Sequence, residues 1–85
     1  KFNSLAQHAH LAARLRHRVS PQLAGVALDA LVRRDLLDPA ARLELFAELA
    51  ARFRGLVEFP AADTEGLSDE AYVRNVVEIL YRSKS

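Results

Sequence analysis

Cysteine is absent from the 85-residue chain, which excludes a disulfide framework, a thiolate zinc site and a cysteine nucleophile. Methionine is absent too and the chain begins at Lys1, so a piece of a longer protein is expected rather than a complete product. No run approaches the roughly 20 uninterrupted apolar residues of a membrane span. No stretch sustains the apolar/polar alternation of a half-buried strand, and there is no glycine-rich phosphate loop.

What remains is 51% hydrophobic, dominated by alanine and leucine, a composition that favours packed helices over disorder. One domain spanning residues 1–85 is expected. A chain of this size buries only about 60 to 65% of its unfolded surface, which leaves room for a partner to complete the core. The net charge of +1 is unevenly spread. Residues 1–34 hold six basic side chains against Asp29 alone, a net +5, whereas the rest holds six against ten acids, a net −4. That asymmetry points the N-terminal half at something anionic.

Apolar spacing predicts four helices. Asn3 or Ser4 caps a first one reaching about Arg18, with Leu5, Ala9, Ala12, Leu15 and Val19 on its inner stripe and Leu11 widening it. Ser20-Pro21 opens a second, faced by Leu23, Val26, Ala27, Ala30 and Leu31. Asp38-Pro39 opens a third that Gly55 stops, with Leu43, Phe46, Ala47, Ala50 and Phe53 inward and Leu45 and Leu49 to the side. That double stripe suggests a central position or contact with a second surface. Residues 55–67 read as a loop, and Ser68 caps a last helix whose inner face is Val73, Val76, Val77 and Leu80. Its valines lower its intrinsic propensity, so packing has to hold it. The expected fold class is all-α, a small four-helix bundle.

The stretch His8 to Arg18, "HAHLAARLRHR", contains every histidine and three arginines. One ion needs helical ligands three or four apart. His8 and His10 are two apart, and His10 and His17 are separated by about 10 Å of helix axis, so no metal site is expected. Ser20 and Ser68 occupy capping positions rather than a nucleophile elbow. Glu44 and Glu48, laddered with Arg52, read as a solvated face. No catalytic activity and no cofactor are expected.

Two readings of the basic stretch remain open. Arg14, Arg16 and Arg18 with His17, helped by Arg33 and Arg34, can serve as a phosphate-contacting patch of a small DNA-associated helical protein. Alternatively His10, Arg14 and His17, which project together at steps of four and three, meet an anionic membrane surface with Arg16 and Arg18. A protein partner or self-association is expected at surplus apolar residues, with Leu45, Leu49, Tyr72 and Tyr81 as contact candidates alongside Leu36 and Leu37. Each of these has a place in the core as its competing role.

The run "LVRRDLLDPAARLELFAELAARFRGL" from Leu31 to Leu56, followed by "LSDEAYVRNVVEILYR" from Leu67 to Arg82, resembles the soluble tail that follows the membrane spans of some bacterial RDD-family proteins. The resemblance covers roughly residues 15 to 82. The "RRD" at Arg33 to Asp35 is not the family's membrane-region signature and takes over no transport role. What the resemblance implies is context: a non-catalytic interaction or regulatory domain on the cytoplasmic side of the bacterial inner membrane, attached to an integral membrane protein. Cytoplasmic segments beside membrane spans are rich in Arg and Lys, and the +5 half is the N-terminal one.

Overall fold

The computed structural model describes residues 2–82, and among them the regular structure is entirely helical. The elements are α1 (Ala9–Arg18), α2 (Pro21–Val32), a 3₁₀ turn (Arg34–Leu36), α3 (Pro39–Leu56), α4 (Ala61–Thr64) and α5 (Asp69–Tyr81). Three starts follow directly from local side-chain chemistry. Ser20 Oγ accepts from the Leu23 amide at 3.1 Å, Asp38 Oδ2 from Ala40 and Ala41 at 3.2 and 3.3 Å, and Ser68 Oγ from Ala71 at 3.1 Å. Each satisfies an otherwise orphaned first-turn amide.

The central element is α5 rather than α3. It packs against α1, α2 and α3, and Tyr72, Val73, Asn75, Val76, Val77 and Ile79 are all buried. Burial on several sides compensates the poor helix propensity of its valines, since each fully buried large aliphatic side chain contributes about 1.5 to 3 kcal/mol relative to exposure. Opposite it, α3 contributes Phe46, Leu49, Ala50 and Phe53. In α2 the small residues Ala24, Ala27 and Ala30 are the ones buried, and α2 lies against α5 through this face.

Several sequence expectations change. The first helix starts at Ala9 because Asn3 caps a separate turn: its Oδ1 accepts from the Leu5 and Ala6 amides at 3.0 and 3.3 Å, and Leu5 drops into the core. The third helix runs through Gly55 to Leu56, closed by the Val57 amide on the Phe53 carbonyl at 3.0 Å. The glycine that needs a left-handed backbone is Gly66, with φ of 88°, which breaks the chain between α4 and α5. The segment read as a loop contains the short α4.

The inner stripe of α3 is also rotated. Leu43 is 76% exposed whereas Leu49 is 5% exposed. Burial of Phe46, Leu49, Ala50 and Phe53 sets which side of α3 faces inward, and Arg42, one turn before Phe46, is half-buried and reaches Glu70 of α5. Val26 of α2 likewise faces out, at 54% exposed.

Candidate functional site

The basic face of α1 stands on the side chains that fix the helix. Ala12 and Leu15 are buried, and Val19 follows them into the core. Arg16 donates from Nε to the Ile79 carbonyl at 3.2 Å, and Arg18 from Nη1 to the Leu56 carbonyl at 2.8 Å. These carbonyls lie at the C-terminal ends of α5 and α3, where the helix dipole favours a cation; the Ile79 carbonyl also accepts the Arg82 amide at 3.4 Å. Two of the five expected anion contacts are thus engaged by the fold itself.

At the other end of α1 the histidine just before the helix is committed as well. His8 Nε2 and Asp63 Oδ2 are 2.6 Å apart, the ring N–H facing the carboxylate. The His8 ring meets Phe59 edge-on at 6.3 Å between centroids. Asp63 further accepts from Gln7 Nε2 at 2.8 Å, while its carbonyl accepts from Ser4 Oγ at 2.7 Å. Asp63 of α4 therefore ties down the turn preceding α1.

His10, Arg14 and His17 differ from these neighbours. All three are exposed, their spacing places them on one side of the helix, and α1 contains no acidic residue. Among the described residues none of the three has an ion-pair partner. Arg33 pairs with Asp29 at 3.0 Å and Arg34 lies 3.7 Å from Glu70, so the two arginines expected to extend the basic patch are answered by carboxylates.

The charges at the start of α5 form a closed set. Arg42 donates to Glu70 through Nε at 2.7 Å and Nη2 at 2.9 Å, and through Nη1 to Asp35 at 3.3 Å. The Arg42 hydrogen bonds hold the Glu70 carboxyl below its ordinary range against the opposing cost of desolvation, and Glu70 in turn raises Arg42. Arg54 meets Asp69 at 3.5 Å and stacks over the Tyr72 ring, 4.4 Å from its centroid.

The apolar contact candidates separate into two kinds. Tyr72, 0% exposed, and Leu49, 5% exposed, belong to the core, although Leu49 also reaches the wall of the groove between α2 and α3. Burial pushes the Tyr72 hydroxyl up, with Arg54 opposing, and that hydroxyl has no partner among the described residues. Leu45 is half-buried and lines an open groove of about 690 Å³ between α2 and α3 with Leu23, Val26 and Arg52. Tyr81 is 51% exposed beside Leu80, Val19 and Pro21. Leu36 is exposed, and Leu37 joins Leu43 and Phe46 in a second groove between the starts of α3 and α5. Periodicity carried no signal for the groove walls, because Val26 and Leu43 satisfy a helical stripe as well as their buried neighbours do.

Ser20 and Ser68 are occupied as caps. Among the described residues no three His, Cys, Asp or Glu side chains converge on a possible metal position, and no helix is long and apolar enough to cross a membrane. Comparison with family models, curated proteins and solved structures finds no match to this chain.

Proposed function

We propose that this chain is a non-catalytic interaction domain, its four longer helices acting as one bundle that presents the outer face of α1 to an anionic membrane surface. In this reading it is the soluble tail of a bacterial integral membrane protein of RDD-family type, lying on the cytoplasmic side. The single observation that carries the reading is the exposed row His10, Arg14 and His17 on a helix that has no acid of its own. Arg16 and Arg18 serve it indirectly by pinning the helix so that the row faces outward. A basic residue held beside anionic headgroups contributes about 1 kcal/mol, attenuated by salt.

Co-sedimentation at low ionic strength tests it. Vesicles containing phosphatidylglycerol retain the chain, pure phosphatidylcholine vesicles do not, and Arg14→Glu weakens retention without loss of helical signal. Retention that is indifferent to Arg14→Glu contradicts the reading. Tighter binding to duplex DNA than to anionic vesicles at the same salt favours the nucleic-acid alternative instead.

A further inference from the structure

We infer that the α1 face is proton-gated: its grip on an anionic bilayer strengthens as pH falls through the range in which histidines take up a proton. This rests on the reading of α1 as the membrane-facing surface and adds a regulation to it. His10 and His17 lie four residues before and three residues after Arg14, so all three side chains share one side within about two turns. Imidazole is the side chain whose charge ordinarily changes between pH 5 and 8. The row therefore carries one formal positive charge when both rings are neutral and three when both are protonated.

Most carboxylates on the segments that meet α1 are engaged within the fold, and Glu58 and Glu65 are the ones without an ion-pair partner among the described residues. On α1 itself the other charged groups are Arg16 and Arg18, both turned onto carbonyls. From α5, which packs against α1, Glu78 is taken by Asn3 and Arg82. Asp69 and Glu70 are held at the far end by Arg54 and Arg42, Tyr72 is buried, and Arg74 and Tyr81 bring no negative charge at neutral pH. From α4, Asp63 faces His8 and Gln7. Beyond α3, Glu58 follows the Leu56 carbonyl held by Arg18. The third histidine, His8, already has its carboxylate within the fold, which makes it a built-in contrast to the two outward ones.

Two added charges beside an anionic surface correspond to a gain in binding of roughly thirtyfold at low salt. The test measures partition of the whole chain onto vesicles of phosphatidylcholine with phosphatidylglycerol, and onto phosphatidylcholine alone, at pH 7.5 and pH 5.5. Circular dichroism at both pH values verifies the fold. The wild type gains at least about tenfold on the anionic vesicles on acidification, and the double variant His10→Gln/His17→Gln binds like wild type at pH 7.5 and loses most of that gain. A wild type whose binding ignores pH, or a double variant that keeps the full gain, overturns the gating. The membrane reading then still stands if Arg14→Glu weakens binding at pH 7.5. Absence of binding to anionic vesicles at both pH values overturns both.

Discussion

At its first turn α5 is anchored by charge, with Glu70 gripped by Arg42 and Asp69 facing Arg54, whereas further along it is anchored through its backbone. There the Asn75 carbonyl accepts from Asn3 Nδ2 at 2.9 Å and the Ile79 carbonyl from Arg16 Nε at 3.2 Å. Carboxylate pairs weaken in acid and in salt. A carbonyl acceptor has no proton to gain in that range. The carbonyls that hold α1 have no proton to gain and Glu70 is held below the ordinary carboxylate range, so both of these anchors persist across the range in which histidines charge and the outward row keeps its orientation while its charge changes.

Variants at the two ends sharpen this difference. Asn3→Ala gives the largest effect, because it leaves the buried Leu5 amide and the Asn75 carbonyl without their side-chain partner. A loss of about 1 to 3 kcal/mol is expected in urea unfolding. Arg16→Ala follows with about 1 kcal/mol, the net worth of an ordinary hydrogen bond, because Arg16 is only half-buried. For Arg16→Ala, whose partner is a carbonyl, the loss should be nearly the same at pH 7 and pH 5.

Glu70→Gln gives a smaller loss of a different kind. The folded carboxyl is held below its ordinary range, so its contribution is complete above the unfolded value, about 4.3, and disappears as pH falls through the lowered folded value. The stability gap between wild type and variant, followed by urea unfolding from pH 6 downward, should narrow toward acid. A gap that widens in acid contradicts the ionic anchor. Smallest of all, Arg14→Ala should stay within about 0.5 kcal/mol of wild type, since Arg14 is exposed and has no ion-pair partner among the described residues. A larger loss at Arg14 would mean that the outward row is part of the scaffold.

Local chemistry was readable from the sequence, and contacts between distant residues were not. Ser20, Asp38 and Ser68 announce their helices because a cap and its amide lie two or three residues apart. Asn3 reads as the cap of the first helix, yet its amide also reaches Asn75, 72 positions away, and no spacing rule encodes that. Arg16 and Arg18 look equivalent to Arg14 in sequence; contacts 63 and 38 positions distant separate their roles. The same limit explains α3, where Leu43 and Leu49 are equally apolar and packing against α5, distant in sequence, decides which of them is buried.

The most direct measurement is residue-by-residue amide chemical-shift mapping of the chain on bicelles containing phosphatidylglycerol. Perturbations centred on His10, Arg14 and His17, growing between pH 7.5 and pH 5.5, are the expected result. Perturbations centred on Leu23, Val26 and Leu45 in the groove between α2 and α3, with α1 silent, would contradict the account.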